Sequence, residues 1–408
     1  MSRPRTIAII ATLDTKGYEV EYLRDQLADL GDQACIVDIG VVNPPMIQPD
    51  LSRERIAEAA GTTMDAVLQN PTRQEASDVM VRGATALLQE MVERGDIHGI
   101  IGLGGTQGTP NCTSVMRSLP YGFPKVMVST MASGDVGAFV DIKDITMMFS
   151  VADILGLNPL TRRILANGAG AVHGMAMASA RVKAEPDDRR VIGMTNLGVL
   201  TDGAMKAMAM LEERGYEVIV FHAVGSGGRA MEQLMREGVI HGVFDYAMGE
   251  ISDELFGGFR AADANRLTVA GALGLPQVIC PGGSEHIGLF VEPNTIPDEW
   301  AGWTHVFHNP VVYVPRLSGE QMERIGAEVG SRLASTSGSA VLMIPTRGVS
   351  RYSIEGGPLH DPDGDKRFFA ALHEHCPSQV EVVDVDAGVE DDAFVEACVD
   401  RLDAMMRA

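Results

Sequence analysis

Apolar segments suited to strands alternate with segments of helical periodicity along most of the chain. Residues 6–13 are nearly all apolar or β-branched, which is typical of a buried parallel strand. Residues 19–30 place apolar side chains at helical spacing and predict a helix with one buried face, and residues 34–39 predict the next strand. The chain therefore opens as strand, helix, strand, which is the unit of a doubly wound α/β sheet.

The most distinctive stretch is a glycine-rich turn between a predicted strand that begins at Ile97 and a predicted helix at 111–119. Such a turn binds phosphate because glycine lets main-chain amides approach an anion and the helix N-terminus adds partial positive charge. The spacing is not that of the dinucleotide fingerprint, and the chain has no G-x-x-x-x-G-K-[ST] motif. A tight turn that binds nothing is the alternative interpretation. The candidate phosphate-binding residues here are Gly102, Gly104, Gly105, Thr106, Gln107, Gly108 and Thr109.

Two more predicted strands end in groups suited to the same ligand. In an open α/β sheet, ligands bind beyond the carboxyl ends of the strands, so these groups are expected to converge with the glycine turn. Lys16 offers an ammonium for phosphate, and Asp14 offers a carboxylate for Mg²⁺, directly or through water. A helix N-cap is the alternative role for Asp14. The additional candidate cofactor residues are Asp14, Thr15, Lys16, Gly17, Ser133 and Gly134.

After a polar, proline-containing segment at 185–190, the pattern of strands and helices starts again. The segment Asp-Ile-His-Gly at 96–99 is echoed by Val-Ile-His-Gly at 239–242, and a Gly-x-Pro turn at 122–124 by one at 274–276. Chance matches at helix-to-strand turns are the alternative explanation. We predict two Rossmann-like, doubly wound α/β domains with mainly parallel sheets, related as a distant internal repeat, at 1–184 and 190–408. A long insertion at 43–79 is expected to form a lid, a dimer arm or a mobile segment.

The second half has its own candidate chemistry. The segment Gly-Ser-Gly-Gly at 225–228 follows a predicted strand and precedes a predicted helix, so it forms a second possible anion cradle with Arg229 as a bidentate partner. His286 is a candidate general base with Glu250 as its orienting partner. A packed histidine without a catalytic role is the alternative. Together these candidate catalytic residues suggest a pocket for a small polar or anionic substrate.

The charge and the cysteine content limit the classes of partner and the cellular compartment that we expect for this protein. The chain of 408 residues has 33 Lys and Arg against 55 Asp and Glu, a net charge of −22. This balance argues against a general nucleic-acid or anionic-membrane binder, although a nucleotide needs only local positive charge. The five cysteines are scattered without a C-x-x-C motif, and no apolar run is long enough to span a bilayer. A cytoplasmic protein is expected.

Five motifs are spread over both halves of the chain, at 12–17, 102–109, 193–196, 222–232 and 308–310. They resemble a poorly characterised ATP-binding family that includes the N-terminal domain of the tomato mosaic virus resistance protein. The resemblance implies two Rossmann-like subdomains, a homodimer, and ATP in the first subdomain at 14–17, 102–109 and 133–134. At Thr106 and Gln107 the chain departs from the Ser-Gly that similar proteins often carry.

Three functional hypotheses follow. The first is an ATP-binding protein, with Mg²⁺ as a possible companion of the nucleotide in the first domain. The second is an enzyme, either a hydrolase, a lyase or a phosphotransferase, that acts on a small acid through the loops of the second domain. The third is a non-catalytic module whose bound ATP sets dimer shape or the choice of partner.

Overall fold

Five parallel strands form the sheet of the first unit in the computed structural model, which describes residues 4–69, 72–182 and 189–408. The chain divides into two units, Met1–Glu185 and Pro186–Ala408. The strand order in the first sheet is β2-β1-β3-β4-β5. Its strands are β1 (Thr6–Ala11), β2 (Gln33–Asp38), β3 (Gly99–Gly104), β4 (Lys125–Ser129) and β5 (Thr146–Phe149). Its helices are α1 (Leu13–Asp29), α2 (Arg53–Ala59), α3 (Met64–Leu68), α4 (Arg73–Glu93), α5 (Gly108–Arg117), α6 (Gly137–Val140) and α7 (Pro159–Ser179).

Strand β1 shows why this sheet needs helices on both faces. Its side chains alternate in direction, as in any strand, yet residues 7–11 are all fully buried. Ala8 and Ile10 belong to a core that includes residues of α4 and α5, whereas Ile7 and Ile9 belong to a second core with residues of α1 and α7. Two apolar faces can be buried only between two layers of helices, which gives the doubly wound architecture.

The second unit repeats this arrangement. Its main sheet is parallel, with the order β14-β13-β9-β8-β6-β7, so its first five strands follow the same order as those of the first sheet. Its strands are β6 (Val191–Asn196), β7 (Glu217–His222), β8 (Gly242–Ala247), β9 (Gln277–Gly282), β13 (Ala340–Pro345) and β14 (Glu381–Val385). A small antiparallel sheet contains β10 (Leu289–Phe290), β11 (His305–Asn309) and β12 (Val312–Pro315). The helices are α8 (Thr201–Glu213), α9 (Ser226–Arg236), α10 (Gly249–Phe256), α11 (Val269–Ala272), α12 (Gly319–Leu333), α13 (Pro362–His375) and α14 (Asp392–Arg407).

The predicted fold class of two α/β domains with mainly parallel sheets is confirmed, but several helices begin earlier than predicted. Helix α1 begins at Leu13 instead of near residue 19, and α5 begins at Gly108 instead of residue 111. The predicted insertion at 43–79 contains α2, α3 and the first turns of α4. The strand-to-helix connections are therefore tighter than expected, and residues 14–17 form the first turns of a helix.

Two further predictions concern the linker and the membrane. Residues 185–188 of the predicted linker lie outside the described residues. Within the described ranges, no helix combines the length and the apolar character that crossing a bilayer requires.

Candidate functional site

A cleft in the first unit lies at the carboxyl ends of β1 and β3. Strand β1 pairs with β2 on one side and with β3 on the other, which is the switch point where open α/β sheets bind their ligands. Residues 14–16 at the start of α1 and residues 104–108 between β3 and α5 line the same cleft. The structure thus brings together two of the three predicted segments. Other lining residues are Thr12, Ile39, Val41, Val42, Ser77 and Asn111.

The glycine turn presents unused main-chain amides to this cleft. Gln107 is the N-cap of α5, and its side chain makes no capping bond. Instead, its amide nitrogen Nε2 donates to Ser77 Oγ at 3.2 Å. Within the described part of the chain, the main-chain amides of Thr106, Gln107 and Gly108 have no hydrogen-bond acceptor. Free amides at a helix N-terminus carry partial positive charge and form an anion site.

The first turns of α1 form another wall of the cleft. Lys16 is half-buried, and its ammonium donates to the main-chain carbonyl of Ile154. Two of its three N–H donors are therefore left for a ligand. Thr12 and Thr15 place their hydroxyl oxygens 3.0 Å apart at the same helix start. The ammonium of Lys16 thus adds a full positive charge to the cleft that the amides of residues 106–108 line, and both favour binding of a polyanion.

Two carboxylates lie near this wall. Asp14 accepts hydrogen bonds through Oδ2 from the amides of Val42 and Asn43, at 3.3 and 3.1 Å. Asp38, at the end of β2, accepts bonds from the amides of Leu13 and Gly40 at 3.1 and 2.9 Å, and burial raises its pKa. Sequence reasoning missed Asp38 because a single acid at a strand end carries no motif. Among the described residues, no cluster of three or more acids, histidines or cysteines could hold a metal ion.

Several predicted cofactor residues serve packing instead of lining the cleft. Gly102 lies inside β3, where an added Cβ would approach Met127 Sδ within 2.6 Å. Gly17 is buried, and a Cβ there would lie 2.6 Å from Met46 Cβ. Thr109 is also buried, with its hydroxyl 2.7 Å from Ser129 Oγ. These positions need small or buried residues because strand, helix and loop approach closely there.

Ser133 and Gly134 are not brought to the cleft. Both are exposed in the turns after β4 and do not line it. The loop after β4 contacts the glycine turn two residues before Ser133, through Met131, whose Sδ lies 3.7 Å from Thr106 Oγ1.

In the second unit, the predicted anion cradle holds a carboxylate from the chain itself. Glu250, in the first turn of α10, accepts hydrogen bonds through Oε1 from the amides of Gly225 and Gly228, at 2.6 and 3.2 Å. Gly225 has φ of +80°, a conformation that glycine adopts without strain. Glu250 is fully buried and therefore fixes this loop from inside the protein. The predicted contact between Glu250 and His286 is not what the structure shows.

Glu250 belongs to a buried network around Arg266. The guanidinium donates a hydrogen bond of 2.7 Å from Nε to Glu250 and two hydrogen bonds of 2.5 and 2.6 Å to Asp245. Glu232 lies 3.8 Å from the same guanidinium and accepts a bond of 2.7 Å from the amide of Leu267. Burial raises the pKa of Glu232 to about 7, and Arg266 opposes this rise only in part. Three carboxylates thus share one buried cation.

His286 is buried between an acid and a cation. Its Nδ1 lies 3.0 Å from Glu285 Oε1, and its Nε2 lies 3.3 Å from Arg260 Nη1. A guanidinium can only donate, so Nε2 accepts and the imidazole proton belongs on Nδ1. Arg260 is itself paired with Asp253, through bonds of 2.6 and 3.0 Å. The acid beside His286 is therefore Glu285 and not the predicted Glu250.

The carboxylate of Glu285 is held ionised. Although burial opposes ionisation, the imidazole of His286, the guanidinium of Arg316 and the hydroxyl of Ser350 lower the pKa of Glu285 to about 2. The Ser350 hydroxyl donates directly to Glu285 Oε1. An ionised Glu285 beside Nδ1 favours the Nδ1–H tautomer of His286 through charge attraction, although the two atoms are not aligned for a hydrogen bond.

His286 lines a second pocket of about 160 Å³, at the carboxyl ends of the strands of the main sheet. This is smaller than the roughly 300–1,000 Å³ of pockets that hold drug-sized ligands, so it suits a small molecule. Arg229 lies half-buried on α9 and does not line this pocket. The polar lining side chains are His222, Arg260, His286, His308 and Tyr352. The apolar ones are Leu197, Val199, Val224, Phe259, Val312 and Val314.

Comparisons with known proteins show the family to which the chain is similar. Models of the N-terminal and C-terminal domains of an uncharacterised protein family (UPF0261) match residues 5–181 and 189–406. A UPF0261 protein of Clostridium tetani is 38% identical over 98% of this chain and 99% of that protein. The ToMV resistance protein Tm-1(GCR237) of Solanum lycopersicum is 32% identical over 79% of this chain and 43% of that protein.

A likeness to solved structures is weak. The UDP-GlcNAc 2-epimerase of Methanocaldococcus jannaschii, in complex with UDP-GlcNAc and UDP, is 9% identical with a TM-score of 0.23. The alignment covers 91% of this chain and 99% of that chain. A similarity this low carries no argument about the ligand.

Proposed function

The chain belongs to the uncharacterised protein family UPF0261, and we propose that it binds ATP in the cleft between β1 and β3. The observation that carries this proposal is that the free amides of Thr106, Gln107 and Gly108 belong to a cleft that Lys16 also lines. Amides at a helix N-terminus suit the bridging and terminal oxygens of a triphosphate, and the ammonium adds a mobile positive charge. The amides of Gly225 and Gly228 in the second unit already bond Glu250, so they offer no comparable site.

Isothermal titration with ATP tests the proposal. We expect Lys16→Ala to weaken binding by about tenfold or more, because charge-assisted hydrogen bonds contribute roughly 1.5–3 kcal/mol. Lys206→Ala is the matched control, since Lys206 pairs with Asp392 on the surface of the second unit. A wild-type chain that gives no heat with ATP would overturn the proposal, as would a Lys16→Ala chain that binds as the wild type does.

We propose Mg²⁺ as a companion of the bound nucleotide, with Asp14 as the residue that would hold it. Oδ2 of Asp14 accepts two main-chain bonds, which orients the carboxylate and leaves Oδ1 as an oxygen ligand of the kind that Mg²⁺ prefers. Titrations of Asp14→Asn with ATP, in Mg²⁺ and in EDTA, test this role. We expect weaker binding than wild type in Mg²⁺ and an unchanged affinity in EDTA. Equal loss in both conditions would contradict it.

A second candidate function belongs to the pocket beside His286, which we propose binds a small organic molecule. The supporting observation is a mainly apolar lining with a few convergent polar groups, the usual composition of a ligand site. Because Nε2 of His286 already accepts from Arg260, its hydrogen bonding favours ligand positioning over general-base catalysis. Turnover of small acids by wild type and His286→Ala tests this assignment. Activity found only in the wild type would favour catalysis by His286 instead.

We also propose that the full chain forms a homodimer whose shape responds to ATP. Light scattering with and without ATP measures the mass directly, and a value near the 43.6 kDa of one chain in both conditions would contradict the proposal. A dimer in which ATP changes the elution volume, without consumption of ATP, would support the non-catalytic module.

A further inference from the structure

The polar side chains of the pocket beside His286 share one chemical property, which is the capacity to donate hydrogen bonds. They are His222, Arg260, His286, His308 and Tyr352. In the ranges that the structure describes, no Asp, Glu or Lys side chain lines this pocket. The chain as a whole has 55 acidic residues against 33 basic ones, so a pocket wall without a carboxylate departs from the rest of the surface. Such a wall suits a ligand that presents acceptor oxygens.

From this lining we propose that the pocket binds a small monocarboxylate with an apolar body. The inference deepens the second candidate function above and is independent of ATP binding. The apolar side chains, among them Val224, Val312 and Phe259, provide contact surface for a branched or aromatic body. A volume of about 160 Å³ restricts the ligand to a few carbon atoms beyond its carboxylate or to one ring.

The charges behind the wall explain why a single negative charge fits better than a phosphate. Arg260 is the one permanent cation in the lining of the described pocket, and the buried carboxylate of Asp253 already neutralises it through two hydrogen bonds. Glu285 adds a negative charge behind His286. A phosphate dianion would therefore bury two negative charges with no unmatched permanent cation beside them, whereas a carboxylate buries one, and the cost of burying unmatched charge rises with the charge.

The two exposed histidines are suited to hold the carboxylate. Nδ1 of His222 lies 3.3 Å from the carbonyl oxygen of Asn196, to which it donates. A carboxylate bound beside Nε2 favours the ring form that carries a proton on both nitrogens, because only that form can donate to the anion while Nδ1 keeps its bond to Asn196. His308 is exposed on β11 and contributes a second imidazole to the same pocket. The buried ring of His286, 6.1 Å from that of Tyr352, lies among the apolar groups and is suited to contact the body of the ligand.

The test is a binding panel with matched probes on the full chain. The carboxylates are benzoate, phenylacetate and 3-methylbutanoate, and the matched neutral probes are benzamide, phenylacetamide and 3-methylbutanamide, with inorganic phosphate as the dianion. We expect at least one carboxylate to bind about tenfold or more tightly than its own amide by titration calorimetry. Any heat of phosphate binding should be the same for the wild type and for variants of this pocket.

Variants locate the binding. We expect His222→Phe, which keeps a ring but removes the donors, to weaken carboxylate binding about tenfold, and Val312→Phe, which fills the pocket, to abolish it. His375→Phe on α13 is the matched control, because His375 is exposed and does not line the pocket. Circular dichroism at matched temperatures shows whether each variant is folded.

Three outcomes would overturn the inference: no carboxylate binds, each amide binds as well as its acid, or Val312→Phe leaves binding unchanged. Lys16→Ala should bind carboxylates as the wild type does. A chain that binds a carboxylate but not ATP would therefore reject the first proposal alone, and the reverse result would reject this inference alone.

Discussion

The buried acid Glu232 makes a testable contribution to the pH dependence of stability. Burial raises its pKa from 4.5 to about 7 in the folded chain, where it lies 3.8 Å from Arg266. Between pH 4.5 and about pH 7 the folded state binds more protons than the unfolded state, so the free energy of unfolding falls as the pH rises. This contribution is fully present below about pH 4.5 and is lost as the pH rises through about 7.

The size of the effect follows from the same two values. At about 1.4 kcal/mol for each pKa unit, the difference between 4.5 and about 7 corresponds to about 3 kcal/mol. Glu232→Gln removes the titration but keeps the side-chain shape, and the new amide oxygen can still accept from the amide of Leu267. We therefore expect the free energy of unfolding of Glu232→Gln, relative to wild type, to rise by about 3 kcal/mol between pH 4.5 and about pH 8.

Urea unfolding followed by tryptophan fluorescence is the assay, because both tryptophans of the chain, Trp300 and Trp303, lie in the second unit. The signal therefore reports the unit that contains Glu232 and not the first unit. Glu213→Gln, at the exposed end of α8, is the control for removing a carboxylate that is not buried. If the difference between Glu232→Gln and wild type does not change with pH, the raised pKa of Glu232 and its cause are wrong.

Three substitutions, one of them with a control variant, test the packing around Gly102, the ion pairs of Arg266 and the N-cap of α7. Gly102→Ala should destabilise the first unit by roughly 1–3 kcal/mol through overpacking, as measured by thermal circular dichroism. Gly134→Ala is the control and should not destabilise it, because no atom lies within 4 Å of the new methyl group. Arg266→Met should cost roughly 3–5 kcal/mol in urea unfolding because it leaves buried carboxylates unpaired, and a loss below 1 kcal/mol would contradict the network. Asn158 is the N-cap of α7 and forms a capping box with Thr161. Asn158→Ala should therefore cost about 1 kcal/mol, and an unchanged melting temperature would refute that role.

Much of the candidate nucleotide site could be predicted because its signals are local. A strand of apolar residues followed by glycines and a helix places its loop at the carboxyl edge of a parallel sheet, which is why Lys16 and Gly104 line one cleft. The limits of the elements were harder to predict. Helix α1 begins at Leu13, where an acid, two hydroxyl residues and a glycine give weak helix signals, and tertiary packing decides the start.

The partners of polar groups could not be predicted in the same way. Glu250 is 25 residues from Gly225 along the chain, and no sequence pattern shows that its carboxylate would meet that loop. The same holds for Glu285, whose neighbour in the chain, His286, was assigned to a different acid. Ser133 shows the opposite error, since its residue type suited a phosphate loop but its position after β4 placed it outside the cleft.

The sequence by itself determined the α/β class, the two sheets and the glycine turn, because apolar periodicity and glycine act over a few residues at a time. Only the tertiary structure decided which amides remain free for a ligand and which are bonded by the chain's own carboxylates. That choice depends on contacts between residues far apart in sequence, such as those of Glu250 with the loop at 225–228 and of Arg266 with Asp245. Such contacts form only when the sheet has assembled.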